Sequence, residues 1–595
     1  MEAPDREPQY AQAPAPRPRR PRWLEHAHDL FFVACAALLW LFKVRYGFEN
    51  NDHQQYLLLP YRHIYPDFLP GDWFTWETSH YHQSFSWLMR ALHAIAGERF
   101  FAQAVLLTHA AVLAAFGAAL LAVARAAKLG RASAWVALGL LGVVRWEALA
   151  GAAITKGVLL PAATALPPYV LACAAWVAKR PLRAGLWLGL SGLLHANYAV
   201  LGPLSLAPLL ALQALRRRSL RTLLEVAIPF TVVASPTLYA VASGLLAPDS
   251  APGELALFFR VRAPHHYDVG SLATLDLAWL ASLLLLAAPA LLQRPERRLA
   301  QLTLVLLALL GLAWVAGALQ LTGLVRAFLW RLSLPLCAIA ALGHGAALRD
   351  AMATRDRVGI PLQLGGLLLL LAYTLPNKHL REAQPLLLWS LLPLAAASLA
   401  HCLPRDRKLR SFGALPALAL LLWLCLAHAG LPPLGPGLPL SKIAAEARKT
   451  QPVQARWHPP GQLGQLMAWV RHNTPKEARF LAPPGFINFR LHARRAIYVD
   501  WKCTPMRGDE LRVWRDRMLG AMGTADFPAL GYALRHASTR AYRKQPAATL
   551  AALARREGLD HVISSRPRRE NEQAGLELLA RFGAFGVYRV QREQP

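Results

Sequence analysis

The sequence predicts a mostly α, polytopic membrane protein, a bundle of about thirteen transmembrane helices with a C-terminal extracytoplasmic α/β domain. Three observations predict it. Apolar tracts such as LLLLAAPALL and LGGLLLLLAY recur along roughly the first 430 of the 595 residues, and only 17% of the chain is charged, against about 25% in soluble domains. Short Lys/Arg clusters separate the tracts. The Pro/Gly-rich stretch AGLPPLGPGLPL then gives way to alternating strand and helix patterns. A soluble core cannot hide so many apolar runs, whereas a bilayer takes one about every 20 residues.

The elements follow in order. Residues 1–27 are Pro/Arg-rich and read as a basic, disordered cytoplasmic N-terminus. The apolar run after them lacks a small-x-small cleavage site and continues into KVRYGFEN, so it reads as an anchor and not a cleaved signal. Spans are expected over 28–46, 101–124, 132–149, 160–178, 184–199, 203–215, 221–243, 272–292, 299–320, 326–347, 359–375, 385–402 and 412–431, a transmembrane domain over 28–431. The clusters RAAKLGR, AKRPLR, RRRSLR, QRPERR, RDAMATRDR and PRDRKLR mark cytoplasmic turns, with room for two spans between successive clusters. That phase puts three unusual segments on the opposite side: a large first loop over 47–100, the loop ending at Asp268, and everything after the last span. The Ala/Leu/Arg-rich composition fits a bacterial inner membrane.

A linker over 432–450 leads into a soluble domain over 451–595. There GQLMAWVRHNTP, DELRVWRDRML, AATLAALARREG and AGLELLARFG read as helices, and ARFLAP, RAIYVDW, DHVISSRP and FGVYRV as strands. From 432 onward, 27 Lys/Arg against 13 Asp/Glu give about +14, which suits anionic head groups or phosphates. The formal charge of +30 does not imply nucleic acid, since much of it lies in the turns between spans. Five of the six cysteines fall inside apolar runs, and no disulfide framework or CxxC metal site is available.

Chemistry is expected where carboxylates, histidines and arginines meet on the outer side. Asp52 lies a few residues past the first span, at the depth where a bilayer-bound substrate presents its polar group. A carboxylate there accepts a proton from an attacking hydroxyl or helps hold a divalent metal. The competing reading makes Asp52 the cap of a short helix beginning HQQYLLL. His53 adjoins it. In YPDFLPGDW, Asp67 and Asp72 read first as turn residues. In RVRAPHHY, Arg260 and Arg262 supply guanidinium forks for a phosphate, and His265 and His266 supply proton-transferring imidazoles. The alternative there is an interfacial belt. His195 and Asn197 sit at the outer end of an apolar hairpin, and Arg326 and Arg331 beside a span, where polar groups usually face a cavity. Arg145 and Glu147 read as a structural pair. In the tail, Asp500, Trp501 and Lys502 follow a strand, with Arg490, Arg494 and Arg495 lining the same end, where α/β domains place ligands.

With Asp52 just past the first span, about thirteen spans and an outward tail, the chain resembles the GT-C class of glycosyltransferases, of the oligosaccharyltransferase and protein mannosyltransferase type. The segments NDHQQYLLLP, RAPHHY and TPKEARFLAPPGF…ARRAIYVDWK also resemble a recurring pattern in uncharacterised bacterial multi-spanning proteins. The chain departs from the class in lacking an Asp-x-Asp pair, since Asn50 precedes Asp52, and in lacking a WWDYG-like block. The resemblance implies a polyprenyl-phosphate-linked sugar as donor, a saccharide, lipid or protein as acceptor, and the outer face of the inner membrane as the place of transfer. It implies Asp52 as base or metal ligand. Arg260, Arg262, His265 and His266 would bind the lipid phosphate, helped by His53, His195 and Arg326, with Asp72, Asp500 and Lys502 as secondary candidates. A divalent metal is compatible with this set but not required by it. The rival expectations are a transporter or flippase of lipid-linked saccharide and a non-catalytic membrane scaffold. A transporter needs its charges near mid-bilayer, whereas the enzyme needs them at one face.

Overall fold

The protein is described from a computed structural model, over residues 22–80, 82–144, 147–246, 252–272, 274–294, 297–372, 394–398 and 453–591. The first apolar tract forms α1 (Arg22–Val44). A short strand, β1 (Gly47–Phe48), follows, then three short helices, α2 (His53–Tyr56), α3 (Leu58–Ile64) and α4 (Trp73–Glu77). Helix α5 runs from Gln83 to Ala126 and turns a corner at Gly97, whose φ of +64° suits a residue without Cβ. The loop expected to reach residue 100 is thus already helical from Gln83, because nothing between Gln83 and Gly97 breaks a helix.

The bundle continues with α6 (Arg131–Gly139), extended by a π turn over Leu140–Val144, and then α7 (Pro161–Val177), α8 (Pro181–Leu194), α9 (Ala196–Arg217) and α10 (Arg221–Leu246). Two short helices, α11 (Pro252–Ala256) and α12 (Pro264–Tyr267), precede α13 (Thr274–Leu292) and α14 (Arg298–Ala318). After α15 (Thr322–Arg326) come α16 (Ser333–Ala353) and α17 (Gly359–Ala372). Among the described residues six helices are long and apolar enough to cross a membrane, and three shorter apolar ones accompany them. Each expected span up to 359–375 overlaps a helix, although the one over 184–199 runs across the break at His195 between α8 and α9, and the one over 326–347 begins at the end of α15. Of 385–402 only 394–398 is described, and 412–431, the linker and Arg145 lie outside the described residues. The span ending in α16 is the central one, 94% buried, whereas α1 is only 17% buried and turns Leu30, Phe31 and Phe42 outward.

Small residues set the closest helix contact. On α8, Gly185 and Gly189 sit one turn apart against α10: a Cβ at Gly189 would meet Val233 Cβ at 2.7 Å and Pro229 O at 3.1 Å, and one at Gly185 would collide with the main chain of Val226. Helices in lipid gain most from such close approach, because no hydrophobic effect drives them together. Gly185→Val is therefore expected to destabilise the folded bundle by about 1–3 kcal/mol, since backbone cannot move aside as a side chain can. Gly311→Val, on α14 with nothing within 4 Å of the added Cβ, should be tolerated. Thermal unfolding of the two detergent-purified variants checks the contrast.

The described parts of four basic turns, RAAKLGR, AKRPLR, QRPERR and RDAMATRDR, gather at one end of the bundle. Arg125 pairs with Asp29, Arg131 reaches Glu25 at 3.1 Å, Arg294 pairs with Asp350 and donates to Lys128 O at 3.2 Å, and Arg298 donates to Trp176 O at 2.8 Å. The first loop, the segment 254–272 and the tail meet at the opposite end. Lys/Arg spacing alone had predicted that separation into two faces.

The tail begins with β2 (Gln454–Arg456) and α18 (Gly461–Asn473), followed by β3 (Arg479–Leu481), α19 (Phe489–Ala493), β4 (Ala496–Ile497), α20 (Gly508–Met522), α21 (Gly531–Lys544) and α22 (Ala547–Arg556). It ends with β5 (His561–Ser564), α23 (Arg568–Gln573), β6 (Leu576–Phe582) and β7 (Phe585–Val590). The five-stranded sheet has the order β4-β3-β5-β7-β6, parallel among the first three strands and antiparallel beyond. One expectation is corrected. AGLELLARFG is not a helix, because LELLARF forms β6 and pairs with β7 across a two-residue Gly583–Ala584 hairpin turn. Its Leu spacing suits either period, and the Gly-containing turn with a β-rich partner decides for strand. Helix α21 was not anticipated.

First loop and tail are one body. Emerging from α1, β1 pairs in parallel with β2, and Gln454 N donates to Tyr46 O at 2.9 Å. A single apolar core joins Tyr61, Phe68 and Phe74 of the loop to Trp501, Trp514 and Met518 of the tail.

Candidate functional site

The site grows from the turn between α1 and α2. Asp52 occupies the N-cap position of α2, yet its side chain makes no capping bond. It forms an ion pair with Lys502 from the strap after β4, and the two side chains keep 15% and 13% of their surface open. Burial opposes the carboxylate charge, but Lys502 and then Lys156 outweigh it, so the carboxyl is held well below its ordinary range. His53, next to it, is fully buried with both ring nitrogens committed: Nδ1 accepts from Glu49 N at 3.1 Å, so Nε2 donates to Leu159 O at 2.9 Å.

The segment 260–268 supplies the second wall. Arg262 is buried, lies 3.8 Å over the Trp501 ring, and donates to Thr504 Oγ1 at 3.1 Å and Lys502 O at 3.3 Å. Burial draws its guanidinium down to about 10, so it stays charged at neutral pH. The His265 ring stacks on Tyr532 at 4.2 Å, and burial followed by the charges of Arg262, Lys156 and Lys502 pushes its imidazole down to about 4. His266 hydrogen-bonds Ala150 O through Nδ1 at 2.6 Å and is likewise held well below its ordinary value, first by burial. Both imidazoles are therefore neutral at pH 7 and act as hydrogen-bonding groups, not as cations. Arg260 is elsewhere, exposed and bonded to Gln320 Oε1 at 3.1 Å.

Lys156, from the stretch between the π turn and α7, completes the set: Asp52, His265, His266 and Lys502 all feel its charge. It was missed from sequence, although a lone lysine between two expected spans, at the end opposite the Lys/Arg clusters, is the signal that could have found it. Deeper in, Tyr56 packs edge-on to His82 at 4.8 Å and His82 lies 5.2 Å from His195, which accepts Asn197 N as the N-cap of α9 and sits 3.5 Å from Arg331 Nη1. Tyr56 feels both Asp52 and the Arg331 and Arg262 charges, and so lies between the two groups. Arg326 reaches this region only through its field at Tyr267.

Asp72 and Asp500 stand behind the site. Arg490 is buried between them, its Nε 2.8 Å from Asp72 Oδ2 and its Nη1 bonded to Asp500. Asp72 also caps α4 by accepting Thr75 N at 2.9 Å, and Asp500 accepts the amides of Lys502 at 2.6 Å and Cys503 at 2.7 Å. These carboxylates hold the loop to the tail and aim the strap. Among the described residues no group of three His, Cys, Asp or Glu side chains is placed to hold a metal ion, while Asp52 Oδ1 pairs with Lys502 and His266 Nδ1 with Ala150 O.

Around Asp52 thus stand three cations, Lys156, Arg262 and Lys502, with neutral imidazoles and phenols among them. Such a set binds a phosphate through charge-assisted hydrogen bonds and leaves one carboxylate to take a proton.

Comparison with known proteins adds little on identity. Residues 461–521, which carry Arg490 and the Asp500–Thr504 strap, match a domain of unknown function (DUF6798). No curated protein matches the chain. Among solved structures, the crystal structure of ArnT from Cupriavidus metallidurans bound to undecaprenyl phosphate is similar over 95% of this chain and 98% of its own, at 13% identity and a TM-score of 0.40.

Proposed function

We propose that the protein is a GT-C-like glycosyltransferase that moves a sugar from a polyprenyl-phosphate donor to an acceptor at the outer face of the inner membrane, with its N-terminus cytoplasmic and its tail extracytoplasmic. One observation carries the reading: Asp52, free of any capping duty and partly open, stands at the head of the first span amid an excess of positive charge. Transfer at an anomeric carbon needs an activated hydroxyl and a stabilised phosphate leaving group. Asp52 supplies the first and Arg262, Lys156 and Lys502 the second. The charges gather at one face, whereas the mid-section of central helix α16 offers His344, bonded to Gln363 at 2.7 Å, which suits an enzyme better than a transporter.

The test uses the full chain reconstituted in liposomes with radiolabelled polyprenyl-phosphate sugars and saccharide, lipid and protein acceptors. Transfer of label on the side exposing the tail is the expected result. Label that crosses the bilayer still attached to its lipid, with no transfer to any acceptor, would make the protein a transporter.

A further inference from the structure

The backbone of Lys502 is pinned, whereas its side chain is held through the ion pair with Asp52 at its tip. Its amide donates to Asp500 Oδ1 at 2.6 Å and its carbonyl accepts from Arg262 Nη2 at 3.3 Å. Asp500 is itself fixed by buried Arg490 and by the Cys503 amide at 2.7 Å. The flexible four-carbon stem is therefore the movable part of a rigid strap. Other acids near the site are occupied: Glu49 accepts Tyr61 Oη at 2.6 Å and Arg494 at 3.2 Å, and Asp72 and Asp500 share Arg490. Asp52 thus holds Lys502 for want of any other anion, and Lys502 engages the carboxylate that the proposed reaction needs free.

We propose that Lys502 is a shuttling group: it pairs with Asp52 while the site is empty and passes to the phosphate of an arriving lipid phosphate, releasing Asp52 to act. This rests on the function proposed above. In the step it prepares, the acceptor hydroxyl oxygen bonds to the anomeric carbon and its proton goes to the Asp52 carboxylate. The bond from the anomeric carbon to the phosphate oxygen breaks, and that oxygen keeps the electron pair, its charge met by Lys502, Arg262 and Lys156. The soluble tail, not the bundle alone, then supplies the group that couples donor arrival to the readiness of the base.

The arrangement predicts opposite effects from breaking the same ion pair at either end. With full-length protein in nanodiscs and polyprenyl monophosphate as the probe, Lys502→Met should raise Kd about tenfold or more, because a phosphate contact is lost. Asp52→Asn should lower Kd several-fold, because the competitor for Lys502 is gone. The double variant should behave like Lys502→Met; Asp67→Asn, in the exposed pair with Lys476 and outside the site, should bind as wild type does, and thermal unfolding of each variant controls for folding. If both single variants move Kd in one direction, or neither moves it, Lys502 is a fixed clip and the inference falls while the proposed function stands. If wild type binds no polyprenyl phosphate, both fall together.

Discussion

Asp52→Asn is expected to reduce sugar transfer on the order of 10²-fold or more while the protein reaches normal levels in the membrane. Asparagine serves at an N-cap as well as aspartate, and the Asp52 side chain makes no capping bond in any case, so α2 should form unchanged. The amide oxygen still accepts from Lys502, which limits the strain of leaving that ammonium without its anion. What disappears is the one carboxylate beside Lys156 and Arg262 able to receive the acceptor's proton. Asp67→Asn is the matched control. Asp67 pairs with Lys476 at 2.7 Å with both side chains more than 60% exposed, an arrangement of little consequence in solvent. Measured rates should fall for the first variant alone. Full transfer activity in Asp52→Asn would remove Asp52 from the chemistry.

Arg490→Met is expected to cost about 3–5 kcal/mol of stability, the largest structural effect of any single change here. Its guanidinium is 2% exposed and bridges two carboxylates, Asp72 at 0% and Asp500 at 1%. Removing it buries two negative charges without a partner, on the two segments that hold the first loop to the tail. The strap bearing Lys502 loses its anchor in the same stroke, so transfer should fall along with stability. Arg490→Lys keeps one charge but cannot span two carboxylates, and should lie between. Thermal unfolding of the purified variants, with limited proteolysis of the tail, checks the order wild type, Lys, Met. Equal midpoints for wild type and Arg490→Met would show that the bridge contributes nothing.

Much of the fold was legible because its signals are local. A run of apolar residues is a span wherever it sits, and Lys/Arg clusters mark turns without reference to partners, so helices and two faces followed from composition along the chain. The strands at ARFLAP, DHVISSRP and FGVYRV were legible for the same reason. LELLARF was not, because its leucines satisfy both periods and only pairing with β7 separates them.

Of the site, the sequence by itself determined which segments share one end of the bundle and that Asp52 stands at the head of the first span. Tertiary structure alone decided what Asp52 meets. Lys502 is 450 residues away, and Arg490 is 418 from Asp72. Asp72 and Asp52 look alike in sequence, each an aspartate in a polar loop, yet one is locked behind the site by a buried guanidinium and the other opens onto it. His53 and His266 likewise read as neighbours of the chemistry, and only packing shows that the first has both nitrogens tied to main chain. Charge pairing across such separations depends on distance in space, to which composition and period along a chain are blind, and so what each carboxylate meets was decided only when the first loop folded against the tail.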